Sequence, residues 1–463
     1  MYLRTLTWMA VMTFLAALSQ PDNLVAQSQQ EQRKKDNRSY SITDLGTLGG
    51  NNNIPQAIDD RGQVAGFAET GDTDPNCGCP IFHAFRWSGG VLHDLGTLGG
   101  HDSAAGLGGI NREGEVVGDS QTATVDPNNP PFLEDHAFLW RKGLMTDLGT
   151  LGGTYSFATA VDGDRRVVGG AQIFDPDPFS EPFHPFLWQE GVMRDLGTLG
   201  GPSGYAFGIN PNQELSELRQ EGTADKDQPQ NTAKTKHRKI QVVGGANVDN
   251  TSVPPFVGPP FFAFLWENGV MTNLGALDGI QSVAVAINDR SQVAGSFTFL
   301  DSNGTGVTHA LRWEHRRAQD LGTVTGDDDS IAWAINHNGQ VVGASGAGFV
   351  DAFTSVHAFL WENGVLTDLN TLIPANSDLQ LISAFGINVG GQIAALAYEF
   401  GTGNVHAVLL TPHHRNLTNQ DAAPAVSAAI AGKPPIVLSE TARNLLKMAT
   451  PGAGRFRDGL NQK

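Results

Sequence analysis

Asp44-Leu45-Gly46-Thr47-Leu48-Gly49-Gly50 is the stretch on which the fold turns, because the same seven residues return at 94–100, 147–153 and 195–201. Decayed copies follow at Asn273-Leu274-Gly275, Asp320-Leu321-Gly322 and Asp368-Leu369-Asn370. Their first residues lie 50, 53, 48, 78, 47 and 48 positions apart, so one interval carries an insertion and the others share a period. A period of roughly 40–50 residues matches one propeller blade, a small sheet that needs neighbours on both faces.

Each period repeats three further landmarks. An apolar residue followed by Asn or Asp stands at Ile58-Asp59, Ile110-Asn111, Val161-Asp162, Ile209-Asn210, Ile287-Asn288, Ile335-Asn336 and Ile387-Asn388. A β-branched run comes next, at 64–66, 116–118, 167–169, 242–244, 293–295, 341–343 and 393–395. A His-Ala-Phe-x-Trp segment closes the set: His83 and Trp87, His136 and Trp140, His184 and Trp188, His309 and Trp313, His357 and Trp361. Phe262 stands in place of the histidine before Trp266, and Leu410 in place of the tryptophan after His406.

Short runs rich in Val, Ile, Phe and Trp, bounded by Asn, Asp and Gly, are strands joined by turns. Asn336-His337-Asn338-Gly339 suits a tight hairpin, since Asn bonds its own backbone and Gly accepts positive φ. In His-Ala-Phe-Leu-Trp both faces of the strand are apolar, so both must be covered. The chain is therefore expected to be all-β, a seven-bladed β-propeller of four-stranded blades over residues 40–411. The first Asp-Leu-Gly strand precedes any inner strand, and the last period lacks its outer one. Residues 40–45 are expected to pair with 405–411, the N-terminal strand joining the last blade and closing the ring without a free edge.

The combination of Asp-Leu-Gly-Thr-Leu-Gly-Gly, Ile-Asn-x-x-Gly-Gln-Val-Val-Gly and His-Ala-Phe-Leu-Trp resembles the HAF-repeat family of bacterial extracellular repeat proteins. The resemblance spans about 40–411 and implies export and a repeat-built shape. It brings no reaction and no catalytic residues.

The ends agree with export. A basic Arg4, an apolar run at 6–18 and small residues at Ala17, Ser19 and Ala26 read as a signal peptide over 1–26. The run is shorter than the ~20 residues needed to cross a bilayer, so no membrane span is expected in the mature protein, which is placed in the periplasm, on the cell surface or outside the cell. A polar leader at 27–39 and an insertion at about 211–239 cannot bury enough apolar surface to fold and read as disordered. The tail, 412–463, carries a short helix that Ser439 can N-cap.

Thirty basic against 48 acidic side chains, a net −18 at pH 7, argues against nucleic acid and anionic membranes as partners. No Gly-x-Ser-x-Gly, HExxH or phosphate-binding glycine loop is present, and no catalytic residue is assigned. The six repeat histidines lie on different blades and are expected to bond within their own blade, to the Asp of Asp-Leu-Gly or a nearby Ser, rather than to a metal. No cofactor is required. Calcium is an alternative at Asp72 and Asp74, at Asp175 and Asp177, and at 327–329, although no EF-hand spacing occurs. Cys77 and Cys79, the two cysteines, form a disulfide or stay free.

Long Pro- and Phe-rich loops between second and third strands mark a candidate binding rim on the crossover face: Phe132, Asp175, Asp177, Phe179, Phe183, Phe256 and Phe261. The expected function is a secreted, monomeric binding or scaffold protein for a protein, glycan or surface. A propeller-type polysaccharide hydrolase or lyase with acid-base residues at the channel mouth is the alternative.

Overall fold

The computed structural model describes residues 38–75, 77–174, 182–211, 239–249, 260–315, 317–347, 355–414, 443 and 445. The signal peptide, leader and insertion, and the tail apart from two residues, lie outside them.

Among the described residues every continuous element but one is a strand, and Arg443 and Leu445 are helical. β1 (Arg38–Asp44) is followed by β2 (Asn53–Ile58), β3 (Val64–Thr73), β4 (Pro80–Ser88) and β5 (Val91–Asp94), and then by β6 (Gly99–Ile110), β7 (Val116–Val125), β8 (Leu133–Arg141) and β9 (Leu144–Asp147). Next come β10 (Gly152–Val161), β11 (Val167–Ile173), β12 (Phe183–Gln189) and β13 (Val192–Asp195), then β14 (Gly204–Ile209), β15 (Gln241–Asn247), β16 (Phe261–Glu267) and β17 (Val270–Asn273). The second half holds β18 (Gln281–Ile287), β19 (Val293–Leu300), β20 (Gly306–Glu314) and β21 (Arg317–Gly322), and β22 (Asp329–Ile335), β23 (Val341–Ala347), β24 (Ser355–Glu362) and β25 (Val365–Asp368). A 3-10 turn at Leu369–Leu372 leads to β26 (Leu379–Ile387), β27 (Ile393–Glu399) and β28 (Val405–His414).

Among the described residues these strands form five four-stranded sheets and one of eight strands. β2 to β5, β14 to β17, β18 to β21 and β22 to β25 each make one antiparallel sheet in chain order. The eight-stranded sheet runs β13-β12-β11-β10-β6-β7-β8-β9, its halves touching through the parallel pairs Ala160 with Gly108 and Tyr155 with Asp135. The last sheet is ordered β1-β28-β27-β26. The architecture is an all-β propeller of four-stranded blades, because successive sheets pack face to face. Ala65, Ala84 and Leu95 of one sheet meet Ile110, Val116 and Phe138 of the next. Val243 and Ala263 likewise meet Val293, Leu311 and Trp313.

Local chemistry explains the repeat. Asn336 ends an inner strand, and its Oδ1 accepts the amides of Asn338 and Gln340 at 3.0 Å each, holding the hairpin. Its Nδ2 donates to Asn388 O, 2.9 Å away in the next sheet, as Asn288 Nδ2 does to Asn336 O at 2.9 Å. The Gly of Val-Val-Gly has a different cause. The inner strand β22 shifts register between Ala332 and Ala334, pushing backbone toward β23. A Cβ on Gly343 would fall 1.9 Å from Ile331 O and 2.8 Å from the Phe359 ring.

The observed ladder between β1 and β28 extends past the expected limits, from Arg38 opposite His414 to Asp44 opposite Val408. Two side-chain bonds explain the extra length: Arg38 Nη1 donates to Glu362 at 2.9 Å, and His413 Nε2 pairs with Ser41 Oγ at 2.8 Å. Among the repeat tryptophans, Trp266, Trp313 and Trp361 are buried. Trp87, Trp140 and Trp188, at the same next-to-last position of their strands, are only partly covered, a departure from full burial. The Arg86 guanidinium lies 5.9 Å from the Trp140 ring centre and Arg312 lies 5.3 Å from that of Trp361, arginine replacing hydrocarbon as cover.

Candidate functional site

The repeat histidines are tied up within the scaffold. Nδ1 of His83, His136, His184 and His309 lies 2.8 to 2.9 Å from the carboxylates of Asp94, Asp147, Asp195 and Asp320, each on the outer strand of the same sheet. The same aspartates accept the glycine amide two residues on, as Asp94 does from Gly96 at 2.8 Å, so each fixes a turn and a histidine together. Where Phe262 replaces His, Asn273 replaces Asp, and Asn273 Oδ1 still accepts the Gly275 amide at 2.7 Å.

His406 reaches Asp44, the Asp-Leu-Gly aspartate of β1, at 3.3 Å, and one pairing departs from this pattern. His357 meets Asp327 at 2.9 Å instead of Asp368. Asp368 has been diverted: with Asn370 in place of glycine it caps the 3-10 turn, accepting the Asn370 amide at 2.8 Å. Burial pushes the Asp368 carboxyl up. The bond to Asp94 raises His83 against the opposing effect of burial, and His309 is raised the same way by Asp320. These are structural ion pairs on separate sheets.

Two carboxylates of the 327–329 cluster are also engaged. Asp327 holds His357, and Asp329 Oδ1 accepts the Thr308 amide at 2.8 Å. Among the described residues no three His, Cys, Asp or Glu side chains stand as a metal-holding group. Cys77 and Cys79 are joined in a disulfide.

Of the rim residues expected from the sequence, Asp175, Asp177, Phe179 and Phe256 lie outside the described residues. Phe132 is 49% exposed on the loop between β7 and β8. Phe183 is corrected: it is 4% exposed and belongs to the interior, because as the first residue of β12 it packs on Tyr205 and Phe157 at ring distances of 5.6 and 6.1 Å. Phe261 is partly buried and joins the same aromatic group, 6.0 Å from Tyr205.

That group walls a cleft of about 300 Å³ between the β14–β17 and β18–β21 sheets, lined by Tyr205, Phe207, Phe261, Gln281, Ser296 and Thr298 among others. The cleft opens at the crossover end, since Gln281 and Phe261 begin their strands and Thr298 stands opposite Gln281. Tyr205 and Phe207 are two apart on β14 and so share a face, their rings 6.2 Å from each other. Burial pushes the Tyr205 hydroxyl up to about 12, so it stays protonated at any physiological pH. The cleft offers flat apolar walls beside amide and hydroxyl groups. A second cleft, of about 610 Å³, lies at the opposite end around Arg141, Arg165, Trp188 and Glu190. Its arginines are already spent, both Nε atoms reaching Glu115 at 2.9 and 3.2 Å.

Sequence reading missed Tyr205, Phe207 and Gln281. The available signal was the Tyr205-x-Phe207 alternation on an inner strand, where most other repeats carry smaller residues.

No protein-family model matches the chain, and neither does any curated protein. Among solved structures it is similar to the β-propeller domain of the trilobed protease from Pyrococcus furiosus, at 8% identity over 80% of this chain and 97% of that one, with a TM-score of 0.45. It is also similar to a puromycin-hydrolysing peptidase from Mycobacterium tuberculosis, at 10% identity over 84% of this chain and 57% of that one, TM-score 0.38. The acylaminoacyl peptidase of Pyrococcus horikoshii matches at 12% identity over 77% and 59%, TM-score 0.37.

Proposed function

We propose that the chain is a secreted, monomeric binding module: a ring of seven four-stranded blades, closed by β1, that presents its crossover face to a glycan. Seven blades follow if the eight-stranded sheet is read as two, its halves meeting through isolated parallel pairs rather than a ladder. Closure is supported by the seven-residue pairing of β1 with β28 and by the His406–Asp44 contact. It is supported further by an apolar layer in which Ala394 and Leu409 meet Val64 and Phe85. Export rests on the apolar N-terminal run and on the resemblance to HAF-repeat proteins.

The cleft at Tyr205 carries the ligand reading. Aromatic faces stack on the apolar faces of sugar rings, and neighbouring hydroxyl and amide groups satisfy sugar hydroxyls. The described residues lining this cleft include no Asp, Glu or His, which favours binding over the polysaccharide hydrolase or lyase alternative, since that chemistry needs a pair of carboxyl groups across the bond. A glycan array with wild type and Tyr205→Ala, run beside a hydrolase and lyase screen, tests the proposal. Binding lost in the variant supports it. Turnover of any polymer, or glycan binding unaffected by Tyr205→Ala, overturns it.

A further inference from the structure

The chain beyond the last strand sends one described side chain into the interior. Leu445 is helical and 2% exposed. It belongs to an apolar cluster with Ile54, Phe82, Trp333, Phe385 and Val405, in which Trp333 stacks on Phe385 with ring centres 5.9 Å apart. Ile54 and Phe82 lie near the starts of β2 and β4, and Val405 opens β28. They stand at the crossover end of their sheets, while Trp333 and Phe385 come from the inner strands β22 and β26. Leu445 therefore sits at the crossover-end mouth where inner strands from different sheets approach each other.

The sequence around it fits that seat. Ala442, Leu445, Leu446 and Ala449 fall at i, i+3, i+4 and i+7 and share one face of a helix. Arg443 and Lys447 fall on another, and Arg443 is exposed. A helical leucine more than nine-tenths buried, in a sequence whose apolar and charged positions separate with helical spacing, is the pattern of an amphipathic helix seated in a groove.

We propose that this mouth is a docking groove for the chain's own C-terminal helix, with Leu445 as its anchor, on the same end of the molecule as the Tyr205 cleft. The groove accepts an aliphatic side chain on an amphipathic helix. The proposal stands apart from the identity of any ligand in that cleft.

The test keeps the full chain. A protease recognition site inserted within 418–430 lets the folded protein be cut once, and gel filtration then asks whether the C-terminal fragment stays with the ring. The fragment should co-elute for wild type and for Arg443→Asp. For Leu445→Asp retention should weaken roughly 10- to 100-fold, the equivalent of exposing one buried leucine. In a second measurement, excess synthetic peptide 437–452 should displace the wild-type fragment, and the same peptide with Leu445→Asp should not. Release of the wild-type fragment on cutting, equal retention in Leu445→Asp, or equal displacement by both peptides would overturn the proposal.

Discussion

Gly343→Ala is a one-methyl change whose cost follows from the bulge in β22. The added Cβ would lie 1.9 Å from Ile331 O, whereas real Cβ contacts stay beyond 3.0 Å. Backbone must therefore move by more than an ångström, and the obstacle is a carbonyl that cannot rotate away. On the other side the methyl would meet the Phe359 ring at 2.8 Å, and that ring is fully buried. Overpacking a tight core costs typically ~1–3 kcal/mol, and a clash against fixed backbone belongs at or above the top of that range. We expect Gly343→Ala to lose about 3 kcal/mol by urea denaturation. Gly390→Ala, whose Cβ would meet only Asn388 Oδ1 at 3.4 Å, should stay within ~0.5 kcal/mol of wild type. If the two variants unfold at the same urea concentration, the bulge is not what selects glycine in Val-Val-Gly.

Three further outcomes are expected. Trp361→Ala should cost roughly 3–5 kcal/mol through the cavity left between sheets, and a loss under ~0.5 kcal/mol would place that side chain at the surface. The bond to Asp44 raises His406 above its ordinary 6.5, and the bond to His406 leads the effects that lower Asp44 below 3.8. The histidine's contribution is complete below 6.5 and disappears as pH rises through the raised value, while the aspartate's is complete above 3.8 and disappears as pH falls through the lowered one. The melting-temperature gap between wild type and His406→Ala should thus be widest between those two values and shrink on either side; a gap independent of pH contradicts the ion pair. Tyr205→Ala should abolish ligand binding while leaving the far-UV spectrum unchanged, and retained affinity would move the site elsewhere.

How far the sequence reaches depends on whether a feature is local to one repeat. Strand positions, the tight turn at Asn336 to Gly339 and the His83–Asp94 type of pairing were legible because both partners recur at fixed spacing. The diversion of His357 to Asp327 was hidden, although Asn370 in place of glycine was its visible cause: without that glycine, Asp368 caps a 3-10 turn. The Tyr205 cleft was illegible because its walls come from different sheets, Tyr205 and Gln281 being 76 residues apart. Phe183 was misread for the same reason, since it looks like loop and is covered by Phe157 and Tyr205 from its own and the following sheet. A short tail helix could be read from its capping signal, but helix propensity says nothing about where Leu445 is buried.

Whether the first strand completes the last blade is tested most directly by a cross-link across their ladder. Ser41 and Thr411 are register partners on β1 and β28, and directly opposed residues of an antiparallel pair bring their Cα atoms to about 4.5–5.5 Å, inside the range a disulfide spans. In Ser41→Cys/Thr411→Cys, oxidation followed by non-reducing peptide mapping should recover the 41–411 bridge in nearly every molecule, with a raised melting temperature. Absence of that bridge, or its appearance only between two chains, would contradict the closed ring.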